Sequence, residues 1–113
     1  MSTDPAPSTA QRLVGDIAPK LADLTDTVLF GDVWARPELA RRDRSLVTVA
    51  ALVTNGSTEQ LVSHLRLARQ NGLTEAELVE AITHLAFYSG WPRAMSAITV
   101  AKRVFAEDKD EKG

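Results

Sequence analysis

An all-α fold is predicted for this sequence by three observations. Apolar residues recur at helical spacing between about residues 10 and 105, with no convincing stretch of strand-like alternation. Thr74 is followed three residues later by Glu77, the pattern of a capping box at a helix start. Asn-Gly pairs at 55–56 and 71–72 are natural helix stops, and the short connections they leave favour antiparallel neighbours.

Taken in order, a first helix is expected over about 9–17 and a second over about 20–30, entered at Pro19. The stretch "FGDVWARPEL" (30–39) reads as irregular, punctuated by Gly31 and Pro37. A third helix is expected over about 43–55. Within it "VTVAALV" (47–53) has the β-branched content of a buried strand, but it follows the helix-start signal "DRS" and reads as helix. The fourth helix spans about 57–71, the fifth runs from Thr74 to about Ser89-Gly90, and the sixth from about Pro92 to about 106. Residues 1–9, rich in Pro, Ser and Thr, and the charged run 106–113 ("AEDKDEKG") are expected as flexible tails around one domain at 10–105.

The composition excludes several classes. Its 113 residues, 44% hydrophobic and 25% charged, suit one globular domain with a modest core. The net charge of -2 argues against nucleic-acid binding, which needs a concentrated basic face. Arginines 36, 41, 42 and 44 do cluster, but such a run reads as a solvated helix start. No apolar run approaches the roughly 20 residues that span a bilayer. The polar stretch "MSTDPAPST" lacks a basic-then-apolar secretory pattern, so the cytoplasm is the expected compartment. With no cysteine, disulfides, thiolate catalysis and thiolate metal sites are excluded outright.

Two helices carry more apolar surface than a small monomer hides. On the third, Leu46, Val47, Val49, Ala50, Leu52 and Val53 go all round the axis, the pattern of a helix buried on every side. On the fifth, Leu78, Val79, Ile82, Leu85 and Ala86 form one stripe, while Ala81, His84, Phe87 and Tyr88 form another on the far side. The second stripe is a candidate interface between copies of the chain; a central helix in a well-wrapped monomer is the alternative.

Few residues can carry chemistry. Ser57, Gln60 and His64 project on nearly the same side of the fourth helix, bordering Leu61, Leu65 and Ala68. A hydroxyl, an amide and an imidazole in one row suit a small polar pocket, although a histidine at such a boundary also serves structure alone. His84 lies between Glu80 and Tyr88, each four residues away, and reads as an interface histidine. No His-x-x-x-His or Glu-x-x-His pair supports a metal site, and no Gly-rich phosphate loop occurs. Asp23 with Asp26, and Glu75, Glu77 and Glu80, read as solvated faces or helix-dipole partners. In "FYSGWP" (87–92), Tyr88 and Trp91 flank a helix corner; packing explains them, and they also suit the walls of a pocket for a small planar ligand.

Together "FGDVWARPEL" (30–39), "RDRSLVTVAALV" (42–53) and "HLRLARQNGLTEAELVEAITHLAFYSGWPRAMSA" (64–97) resemble the carboxymuconolactone decarboxylase family, of the alkylhydroperoxidase-D-like superfamily. The resemblance implies an all-α subunit of about six helices around an antiparallel hairpin, assembled as a trimer or hexamer with pockets at subunit boundaries. The peroxidase branch carries Cys-x-x-Cys-x-x-x-His; here Ser57 and Gln60 stand at both cysteine positions and His64 remains. A glutamate of that branch falls where Ser45 stands. The cysteine-less branch implies a decarboxylase that needs no cofactor and acts on a small unsaturated lactone carboxylic acid such as 4-carboxymuconolactone. His64 is then the proton donor or oxyanion partner, and Arg44 the carboxylate anchor, with Arg66 and Arg93 as alternates. Ser57, Gln60, Tyr88, Trp91 and Arg93 would line the substrate. A non-catalytic oligomeric protein that binds a small acid is the second reading, and a metal- or flavin-assisted oxidative role the third.

Overall fold

The computed structural model describes residues 6–112, and all regular structure in it is helical. The chain divides into two compact units, Met1–Leu39 and Ala40–Gly113.

In the first unit α1 (Thr9–Val14) is capped by Ser8, whose Oγ accepts from the Gln11 N–H at 3.1 Å and donates to Asp26 Oδ2 at 2.8 Å. The helix ends at Gly15, short of the predicted end at 17. The predicted helix over 20–30 is two pieces: α2 (Pro19–Leu24), with Pro19 in its first turn, then a π-helical segment Thr25–Phe30. Thr25 and Thr27 donate their hydroxyls to the Leu21 and Asp23 carbonyls, both at 2.8 Å. Thr48, Thr83 and Thr99 make the same back-bonds inside regular α-helices, so these bonds do not by themselves set the wider coil. A 3₁₀ turn, Val33–Ala35, then interrupts the irregular stretch; its Trp34 is buried and stacks on Phe30 with ring centres 5.7 Å apart. Of the N-terminal stretch expected as a tail, residues 1–5 lie outside the described residues.

The second unit holds α3 (Arg41–Asn55), α4 (Thr58–Gln70), α5 (Glu75–Ser89) and α6 (Trp91–Lys112). α3 packs on α4 and α5, and α6 on α5 and α4. Both early hairpin turns close as the sequence suggests. After α3, Gly56 takes φ 72°, its N–H reaches the Val53 carbonyl at 3.1 Å, and the Ser57 N–H reaches Leu52 at 2.9 Å. After α4, Gly72 and Leu73 bond the Arg69 and Ala68 carbonyls at 3.1 and 3.0 Å in the same pattern. This paired bonding satisfies carbonyls that a helix end otherwise leaves open. α5 starts at the predicted capping box: Thr74 Oγ1 accepts from the Glu77 N–H, and Glu77 accepts from the Thr74 N–H, each at 3.0 Å. The Thr74 N–H bond first, and the adjacent Arg42 guanidinium after it, hold the Glu77 carboxyl below its ordinary value.

The core is aliphatic. Val49 and Val53 of α3 meet Leu61 and Leu65 of α4, Leu78 and Ile82 of α5, and Ala97, Ala101 and Val104 of α6. The expectation that α3 is buried on every side is corrected: Val47 is 61% exposed, and Leu46 and Leu52 are half-buried. Four packed helices give α3 neighbours on part of its circumference only. α5 buries its first stripe at Leu78, Ile82 and Ala86, and exposes Phe87 and Tyr88 of the second. α6 continues past the predicted end at 106 to Lys112. The charges there fall at helical spacing opposite partners: Arg66 meets Glu107 at 2.7 Å and Asp108 at 3.5 Å, and Lys109 meets Glu75 at 3.7 Å. Exposed pairs of this kind are individually worth less than about 1 kcal/mol, but they favour the helical path for the run. No helix among the described residues is long and apolar enough to cross a membrane.

Candidate active site

The polar row of α4 begins at its capping position. Ser57 is half-buried and makes no side-chain cap bond, Gln60 is exposed, and His64 is half-buried. At 1.5 Å per residue the row spans roughly 10 Å along the helix. His64 takes its depth from its neighbours: Leu61, Leu65 and Ala68 face the core, and the imidazole stands at the edge of that stripe with Nδ1 shielded from solvent. Burial lowers its pKa below the usual histidine value of 6.5, because the low-dielectric surroundings disfavour the charged ring. Burial thus favours the neutral ring.

Arg44 stands in the first turn of α3, half-buried, with Nε shielded from solvent. The register of the α3–α4 hairpin locates it relative to His64. Asn71, just past α4, donates its side-chain amide to Ser45 Oγ at 2.9 Å, and Ser45 is only 1% exposed. The start of α3 is therefore level with the end of α4. His64 lies seven residues back from Asn71, so it is displaced roughly 10 Å along the axis from the level of Arg44. The hairpin puts both residues on one scaffold.

The other end of the hairpin gathers a different set. Arg93 Nη1 donates to the Asn55 carbonyl at 3.1 Å, and the Thr54 and Ser89 hydroxyls are bonded at 2.7 Å. These two contacts hold the α5–α6 corner on the α3–α4 turn. Ser57, Arg93, Tyr88 and Trp91 thus share one end of the second unit, with His64 two turns inward along α4. Tyr88 is 79% exposed and Trp91 59% exposed. Tyr88 stacks on His84 with centres 4.9 Å apart, and Trp91 meets Phe87 edge-on at 5.6 Å. In the chain these rings stand open to solvent. Arg66, the other alternate anchor, pairs with Glu107 and Asp108.

Two contacts went unread in the sequence. Asn71 signalled a helix stop, and nothing in its spacing named Ser45 as its partner. Asn55-Gly56 signalled a turn, and nothing named Arg93 as the donor to the Asn55 carbonyl. Both bonds join residues 26 to 38 positions apart, beyond the reach of local patterns.

An all-helical chain with a desolvated histidine on a helix hairpin, and arginines at both ends of that hairpin, is a scaffold suited to acid–base work on small anions. The chain belongs to the carboxymuconolactone decarboxylase family, whose model matches residues 19–103. It is 44% identical over 78 residues to a 4-carboxymuconolactone decarboxylase of Acinetobacter baylyi, covering 69% of this chain and 58% of that protein. It is 38% identical over 82 residues to a nitrosuccinic acid decarboxylase of Metarhizium robertsii, covering 73% and 57%. It is also 31% identical over 84 residues to an uncharacterised 15.0 kDa protein of Paracoccus denitrificans, covering 73% and 63%. The chain thus spans about three fifths of the length of the curated relatives it matches.

Proposed function

We propose that the protein is a cofactor-independent carboxy-lyase acting on a small carboxylic acid with a built-in electron sink, 4-carboxymuconolactone being the first candidate. The observation that carries this reading is His64: an imidazole whose neutral form is favoured by burial, in a polar row on a hairpin that also bears Arg44. The names of two relatives support it. One acts on a lactone acid and the other on a nitro acid, and in both substrates an electron-withdrawing group accepts the electrons that departing carbon dioxide leaves behind.

The chemistry needs little from the protein. In 4-carboxymuconolactone the leaving carboxylate sits on a carbon conjugated through a double bond to the lactone carbonyl. The bond to the carboxylate breaks, carbon dioxide departs, and its bonding pair delocalises onto the carbonyl oxygen. Arg44 anchors a carboxylate of the substrate through its two-pronged guanidinium. His64 donates a hydrogen bond to the developing oxyanion. A bound anion beside the ring raises its pKa, so the ring takes up one proton from solvent as the acid binds, and the imidazolium then gives that proton to the carbon. Ser57 and Gln60 orient the acid from the same row, with Tyr88, Trp91 and Arg93 beyond its start. Removing one such donor from a dry site costs about 3 kcal/mol of transition-state binding, roughly 100-fold in rate.

In this reading the working unit is a homo-oligomer, a trimer or hexamer. The corner formed by α5 and α6 exposes Phe87 at 76% along with Tyr88, Trp91 and Met95, and an exposed apolar patch of this kind marks an interaction surface. A second copy covering it would close the open side of the site. Ultraviolet-monitored turnover of 4-carboxymuconolactone and related lactones tests the proposal. Carbon dioxide release matching loss of substrate supports a lyase. Thermal stabilisation by the acid without turnover would replace the lyase with a binding protein.

A further inference from the structure

We infer that Arg93 is a positioning residue: docked over Gly56, it fixes the α3–α4 turn and with it the start of the helix that carries Ser57, Gln60 and His64. The kinetic part of this inference rests on the carboxy-lyase reading; the structural part does not.

α6 gives no reason for an arginine where Arg93 stands. It is the third residue of that helix, where a cation opposes the positive end of the helix dipole. Its guanidinium instead reaches the last residue of α3, donating to the Asn55 carbonyl at 3.1 Å. That carbonyl belongs to the group that a helix C-terminus leaves open, and the cation there meets the negative end of the α3 dipole. Gly56 leaves the space in which the guanidinium lies. Its φ of 72° favours glycine, and a Cβ at this position would overlap Arg93 Nη1. The glycine therefore serves the turn and the guanidinium at once.

The next residue shows why the turn needs holding. Ser57 occupies the capping position of α4 but makes no side-chain cap bond, so α4 begins without the hydroxyl anchor that α1 and α5 have. Its location follows from the turn, which is held by the Gly56 and Ser57 N–H bonds into α3 and by Arg93 from outside. A shift of the turn carries the polar row with it.

The test compares Arg93→Ala, Gly56→Asn, their double variant and Arg93→Lys in the full chain. Asparagine adopts positive φ more readily than other residues with a Cβ, so Gly56→Asn displaces the guanidinium tip at the smallest backbone strain that a Cβ allows there. Amide hydrogen exchange across residues 57–61 and the NMR signals of the two imidazole rings are measured. Both single variants are expected to speed exchange there roughly tenfold, the scale of one lost charge-assisted bond. The His64 signals move, while His84 and the amides of Leu78–Leu85 do not. The double variant exchanges no faster than either single, because both remove the same contact. In turnover, kcat falls with KM near wild type, and Arg93→Lys restores part of it, since lysine still reaches one carbonyl. Unchanged exchange in Arg93→Ala would overturn the inference. So would a raised KM with kcat intact and no rescue by lysine, which is the signature of a two-pronged carboxylate anchor. Absence of wild-type turnover would count against the lyase reading alone, and the exchange result would still decide this one.

Discussion

Asn71→Ala is expected to destabilise the chain more than Ser45→Ala, although the two residues share one hydrogen bond. Ser45 Oγ is buried at 1% exposure and accepts from Asn71 Nδ2 at 2.9 Å, while Asn71 is half-exposed. Removing the serine hydroxyl frees an amide that water can reach, so the cost is that of one neutral bond, about 1 kcal/mol. Removing the amide strands a hydroxyl in the core, and the unmet desolvation raises the cost to about 2 kcal/mol. The double variant loses the donor and acceptor together and falls short of the sum by about 1 kcal/mol. Urea unfolding of the wild type and three variants measures each value, with thermal midpoints falling by about 5 °C per kcal/mol. Equal single costs, or additivity within about 0.3 kcal/mol, would refute this account of the hairpin register.

Acidification destabilises the fold through His64. The unfolded chain takes up this proton near 6.5, the folded chain only at lower pH, so stability falls from about pH 6.5 down to the folded pKa and then levels off. His64→Gln removes that part of the slope, read from urea midpoints between about pH 7 and about pH 5. Leu65→Ala opens a cavity at a fully buried position and costs about 3 kcal/mol or more by the same unfolding measurement. Phe87→Glu places a charge in the exposed aromatic patch and shifts the protein toward the monomer in light scattering, with the helical circular dichroism unchanged.

Much of the fold was legible because its punctuation is local. The Thr74–Glu77 box and the glycines at 56 and 72 each act within a few residues, and all three appear where the spacing puts them. The π-helical segment after Leu24 was hidden, because nothing local in the sequence marks the change of coil. The length of α6 was hidden too. Its charged end reads as solvated until Arg66 and Glu75, far back in the sequence, face it. The row Ser57, Gln60 and His64 could be read from helical spacing. The environment of His64 could not, since burial depends on what the other helices bring. Nor could the register of α3 against α4, which the Ser45–Asn71 bond fixes.

The most direct test of the central claim is turnover of 4-carboxymuconolactone by the wild type and by His64→Ala, with assembly of both checked by light scattering. The account predicts wild-type decarboxylation and a fall in kcat of at least roughly 100-fold in a mutant that assembles normally. A His64→Ala protein that turns over at the wild-type rate would contradict it.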